Sequence, residues 1–297
     1  MTSPLTNGRQ SLSSLRGGAS KRRRGEITTL IMDNEKLKSF LEGLYYIYQR
    51  RELINPDPLF FLYNYKDVRD LEIVGLVASS LAYGRVSQIM KSVKKILDCL
   101  TDNPYKFLSE NKNFEIVPEN FKHRFTTSYD INNLLANISE IIRDYDNVEN
   151  FLNECLKLSF HNILLALNKF SEKLSQNKKP DSFSLVTAPK DGSACKRLFL
   201  YLKWLVRSDE VDPGGWKILS PSELIIPTDT HMHNIARKLN FTTRKNADLK
   251  TAIEITEGFK KICPEDPTKY DFVLTRFGIR AGLNVDELIE FSPQNRC

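Results

Sequence analysis

Two short stretches of this chain carry side chains suited to chemistry. In Gly192-Ser193-Ala194-Cys195-Lys196-Arg197, a breaker-rich loop ends in small residues and runs into a helical pattern. The first backbone N–H groups of such a helix have no partner within it, and with the macrodipole they favour an anion, phosphate above all. Lys196 and Arg197 oppose the dipole in that first turn, which points to an anionic ligand; the plainer account is two exposed cations decorating a helix start. Downstream, Pro227-Thr228 precedes Asp229 and a second helical pattern. An Asp there caps the helix by accepting hydrogen bonds from its first amides. Capping also holds an ionised carboxylate at a fixed place, so beside a cleft one side chain can both cap and catalyse. His231 and His233 lie two apart, on different faces of one helix, a poor geometry for a shared ion. Neither a metal nor another cofactor is expected.

The elements that position these residues read as helices almost throughout. Asn34–Arg51 carries one apolar stripe through Leu37, Phe40, Leu41, Leu44, Tyr45 and Tyr48 before Pro56 and Pro58 break the pattern. Asp67–Tyr83 is nearly all apolar and predicts a buried central helix; Val86–Leu100 resumes as an amphipathic one. Further helices are expected at Ile131–Tyr145, Val148–Leu156, Phe160–Leu174, Ser193–Arg207, Asp229–Leu239, Ala247–Lys261 and Pro267–Phe277. Asp209–Pro227 is a long connection with a helical turn at Pro221–Leu224. No alternation sustained over several segments suggests a sheet, and no repeat of 20–50 residues is visible. The expected fold is all-α, a single domain over 33–297 in two lobes with a cleft between them, the hairpin region spanning about 186–229.

Composition bounds the function classes. The chain has 297 residues, 41% of them hydrophobic, enough for a real core. Of the formal charge of +6, most belongs to residues 1–32, a basic tail expected to be disordered, where Arg9, Arg16, Lys21, Arg22, Arg23 and Arg24 face only Glu26. The body is near neutral, so net charge alone does not argue for nucleic acid. Cys99, Cys155, Cys195, Cys263 and Cys297 are scattered without a C-x-x-C pair, which excludes a zinc ribbon and a disulfide framework. No apolar run approaches a membrane span and no signal peptide opens the chain. A soluble cytoplasmic protein is expected, with no membrane partner and as a monomer.

The two chemical stretches together resemble the helix-hairpin-helix DNA glycosylase superfamily, which contains endonuclease III and the 8-oxoguanine glycosylases. There a Gly-x-Gly-x-Lys hairpin precedes a helix and a Val-Asp-Thr-His-x-x-Arg motif follows. Gly192-Ser193-Ala194-Cys195-Lys196 is similar to the first, with Ala194 in place of the second Gly. Thr228-Asp229-Thr230-His231, running on to Arg237, is similar to the second. Pro264–Ile279 resembles the family helices that follow. Over about residues 35–290 the chain is similar to an uncharacterised bacterial family of that superfamily, DUF2400, through Cys195–Arg207, Ile225–His231 and Phe121–Phe125.

The resemblance implies a two-lobed glycosylase fold and a flipped, damaged nucleotide whose N-glycosidic bond is broken. Departure of the base leaves positive charge on the sugar; Asp229 would stabilise it, and the Lys196 amine would attack the sugar carbon to form a Schiff base and permit strand cleavage. Lys203, seven residues on along nearly the same helix face, is the reserve nucleophile. Amides at Gly192, Ala194 and Lys196, with Ser193, would clamp a phosphate of damaged duplex or single-stranded DNA, assisted by Arg197, His231 and Arg237. Ser80–Arg85 stands where endonuclease III carries a gap-filling Gln, leaving Tyr83 or Arg85 for that task. Trp204 and Trp216 are candidates for stacking a flipped base, Trp216 foremost, although either also fits a core position. Two other function classes are carried: a helix-hairpin-helix module that binds nucleic acid without cutting it, and a helical protein whose cleft takes another ligand.

Overall fold

The computed structural model describes residues 34–280, with side chains through 275. The basic tail lies outside the described residues. Helix α1 (Asn34–Tyr48) buries Leu37, Leu41 and Leu44 on the stripe its spacing dictates. The helical pattern breaks ahead of Pro58 as expected, since α1 stops at Tyr48 and residues 54–57 are not helical. Pro58 opens a 3-10 helix (Pro58–Asn64) whose first turn Asp57 caps, accepting from Leu59 N at 2.9 Å. Helix α2 (Val68–Ser80) starts at the Asp67 cap and is buried at every position from Asp70 to Ser80, as a continuous apolar run requires of a central element.

Against α2 pack α3 (Val86–Leu97), α4 (Pro104–Glu110) and α6 (Val148–Lys157), while α5 (Ser128–Tyr145) packs on α4 and α6 and α7 (Ile163–Leu174) on α6. Strands β1 (Lys122–His123) and β2 (Thr126–Thr127) form a two-residue antiparallel hairpin, Lys122 opposite Thr127 and His123 opposite Thr126. Among the described residues this is the only sheet, so the all-α expectation holds. The chain then gives α8 (Lys196–Val206), a 3-10 turn (Pro221–Glu223), α9 (Thr230–Lys238), α10 (Leu249–Lys260) and α11 (Asp271–Arg280). No helix among the described residues is long and apolar enough to cross a membrane.

Helix α8 packs on α2, and that contact fixes where the chemical stretch sits. Gly75 makes the approach possible, because a β-carbon there would stand 3.3 Å from the ring of Tyr201. Trp216 then lies edge-on to Tyr201, ring centroids 5.3 Å apart, with its Nε1 donating to Glu72 at 2.8 Å. Glu72 also accepts from the Val148 and Glu149 amides and so caps α6 from a distance. Burial pushes its carboxyl up to about 7 even against those three donors.

Candidate active site

Lys196 and Asp229, remote along the chain, meet. The Lys196 Nζ lies 2.9 Å from Asp229 Oδ2, with 34% and 33% of the two side chains exposed. The local folding explains the encounter. Gly192 adopts φ +74°, a left-handed turn that favours glycine, and Cys195 follows at φ +47° before α8 begins with Lys196. Asp229 caps α9: its Oδ1 accepts from the His231 and Met232 amides, both at 2.9 Å. One carboxylate oxygen therefore fixes the side chain and the other faces the amine. Burial raises the Asp229 pKa, but the Lys196 ammonium and the capping amides outweigh it, so the carboxyl sits below its ordinary range.

A cleft of about 500 Å³ opens beside Lys196, lined by Ala82, Tyr83, the Asp191–Leu198 hairpin and Asp248; Asp229 meets the amine but does not line it. Gly192, Ser193, Ala194, Lys196, Arg197 and Tyr83 are thus brought to one place. Their availability differs. The Gly192 amide donates to Pro189 O at 3.0 Å, so it does not face a ligand, and Gly192 O accepts from Leu249 N, tying the hairpin to α10. The Arg197 guanidinium is half-buried and donates to Ser80 O and Ser184 O at 2.9 and 2.7 Å, which fits it for bracing the hairpin rather than for a phosphate. Arg85 and Arg237 are exposed. His231 Nε2 is buried without a hydrogen-bond partner among the described residues. His233 instead bonds Arg244 O at 3.0 Å, consistent with the two imidazoles having separate roles. No group of three potential metal ligands occurs among the described residues.

Two expectations are corrected by burial. Trp204 and Trp216 are core residues, and the indole N–H of Trp216 is committed to Glu72, so neither stacks a base in the cleft. Lys203 does lie below Lys196 on α8, but only 1% of its side chain is exposed. It is held by Asp212 Oδ1 at 3.1 Å and Asp271 Oδ2 at 3.5 Å. Burial works against its charge, yet those carboxylates prevail and keep it protonated, and at that depth its amine is closed to a substrate. Arg207 continues the row, pairing with Asp212 and, at 2.8 Å each, with Asp209 and Asp266.

Asp271 is the residue sequence reasoning missed. It is buried at the start of α11, and burial lifts its carboxyl to about 6, against the pull of Lys203 and with the push of Asp229. The signal was present as a charged residue beside an apolar run, matched by an equally isolated Lys203 on another helix.

Among known proteins, no curated protein and no solved structure matches this chain. One family model does, over residues 57–280, and its description is a protein of unknown function, DUF2400. That span covers well over half of the sequence and includes Lys196, Asp229 and the hairpin between α7 and α8, and by it the chain belongs to the DUF2400 family.

Proposed function

We propose that this protein is a DNA base-excision N-glycosylase with abasic-site lyase activity, acting as a cytoplasmic monomer on a flipped nucleotide and built as two lobes on the helix-hairpin-helix glycosylase plan. The observation that carries the reading is the Lys196–Asp229 pair, 2.9 Å apart and open to solvent beside the hairpin cleft. A surface ion pair needs neither a cap on one partner nor a turn of left-handed residues before the other. Here both side chains are held by helix starts, which suits groups that must meet a reacting atom in fixed geometry.

In the proposed reaction the C1′–N bond breaks and its electron pair leaves on the base. The Asp229 carboxylate stabilises the charge developing on the sugar. The Lys196 amine forms the new bond to C1′, and the proton it sheds passes through Asp229 to the departing base. The C1′–O4′ bond then breaks, O4′ taking a proton from the nitrogen as the protonated imine forms, and loss of a C2′ proton expels the phosphate from C3′.

Borohydride trapping on abasic and damaged oligonucleotides tests it. A covalent adduct is expected with the intact protein and none with Lys196→Ala. No adduct and no base release across a broad lesion panel would remove the enzyme reading, and tight DNA binding in that case would favour a non-catalytic module.

A further inference from the structure

The β1–β2 hairpin, Phe121–Phe125 in the sequence motif, has no part in the chemistry above, yet its construction is specific. Its inward residues are locked: His123 is buried, with Nδ1 2.9 Å from Ser92 Oγ and Nε2 3.1 Å from Tyr83 O. Thr126 is buried and shares a 2.7 Å hydrogen bond with the Tyr83 hydroxyl, which also donates to His123 O at 2.9 Å. Tyr83 is therefore a strut under the hairpin and not a free wedge. The turn residues are displayed instead. Arg124 adopts φ +52°, in the left-handed region a non-glycine residue rarely takes, and Phe125 is 64% exposed.

The display is continuous with the cleft. The Phe125 ring lies 5.9 Å from Phe183 at 31°, and Phe183 lies 5.0 Å from Tyr83 at 32°. The Arg124 guanidinium sits 5.6 Å from the Phe125 centroid and 6.0 Å from that of Tyr83. Gly84 leaves the room for it, since a β-carbon there would stand 2.7 Å from Arg124 Cδ. A hollow of about 520 Å³ lined by Phe125 and Phe183 is edged by Lys122 and Arg124 against one carboxylate, Asp181. Flat rings, guanidinium and a positive rim are the parts that hold an unpaired base by its face and its strand by phosphate.

We propose that Phe125, Phe183 and Arg124 form a stacking platform for an unpaired nucleobase on the strand whose reacting sugar enters the Lys196 cleft. The platform rests on the nucleic-acid reading of that cleft and adds the feature it selects, a base without a partner. An exposed phenyl ring alone does not make the argument, because Phe160 is 95% exposed with no such setting. The difference lies in the braced turn, the guanidinium and the aromatic path to Tyr83, which also lines the cleft.

The test uses the full chain and oligonucleotides carrying 2-aminopurine, either unpaired or fully paired in a duplex. The intact protein is expected to quench the unpaired reporter and bind that DNA more tightly than the paired form. Phe125→Ala, at an exposed turn, is expected to abolish the quenching and weaken binding of unpaired-base DNA roughly 5- to 150-fold. Phe125→Trp should retain both, and Phe160→Ala should change neither. Equal affinity and quenching in Phe125→Ala overturn the platform, and if borohydride adducts still form at Lys196 the enzyme reading survives alone. Phe125-dependent quenching without any adduct sinks the enzyme reading and leaves the platform. Absence of quenching by the intact protein overturns the platform outright.

Discussion

Replacing Asp229 separates its two jobs. The side chain accepts from two amides through Oδ1 and faces Lys196 through Oδ2. Asn retains a carbonyl oxygen in the Oδ1 position and is as good a cap as Asp, so Asp229→Asn sacrifices only the ion pair. Each partner of that pair is about a third exposed, and such pairs contribute about 0–1 kcal/mol. Ala removes the acceptor as well and adds the loss of a cap, about 0.5–2 kcal/mol. The expected order of stability is wild type, then Asn within about 1 kcal/mol, then Ala about 0.5–3 kcal/mol below wild type. For a domain of this size 1 kcal/mol moves Tm by about 2–4 °C, so urea denaturation and thermal melts resolve Asn from Ala. Base release and adduct trapping should fall to background in both, while DNA affinity is kept. An Asn variant that turns over at the wild-type rate would refute the role of the carboxylate. An Asn variant as unstable as Ala would refute the division of labour between the two oxygens.

Lys203→Met is expected to cost about 3–5 kcal/mol in urea denaturation, because it leaves Asp212 and Asp271 buried without their shared cation; a loss below 1 kcal/mol would contradict the structural role given to that residue. Asp271 is held up to about 6, above its unfolded value near 3.9, so its favourable contribution is complete below about pH 4 and is lost as pH rises through 6. The stability difference between wild type and Asp271→Asn should therefore slope by up to about 1.4 kcal/mol per pH unit between 4 and 6, and a flat difference would remove the shift. Trp216→Phe takes one donor from Glu72 and should destabilise by about 1–3 kcal/mol without altering DNA affinity; weaker binding would restore Trp216 to the ligand site.

The legible part of this fold is what periodicity encodes. The stripe of α1, the apolar run of α2 and the cap at Asp229 all stand where local rules place them. Elements too short to carry a period were not readable. Helix α4 has seven residues, and each strand of the hairpin has two, so neither shows a stripe or an alternation. The Lys196–Asp229 encounter was legible only through likeness to known motifs, since nothing in either stretch specifies a partner in the other. Depth was the main loss. Lys196 and Lys203 share a helix and nearly a face, but the residues that sink Lys203 come from α11 and the loop after α8.

That depth bears on the chemistry. Beneath the open pair, two cations, Lys203 and Arg207, meet four carboxylates, Asp209, Asp212, Asp266 and Asp271. When all are ionised the row carries more negative than positive charge, and burial lets its field reach further than a solvated cluster's would. In the proposed reaction the field acts on the first step. It favours positive charge growing on the sugar as the base leaves. Cleavage of the glycosidic bond therefore depends more on Asp229 and the row below it, and strand cleavage more on Lys196. Lys196→Ala should on this reasoning lose the adduct and the nick while keeping part of its base release, whereas Asp229→Asn loses both; equal loss of the two activities in both variants would show that the buried row has no influence on the first step.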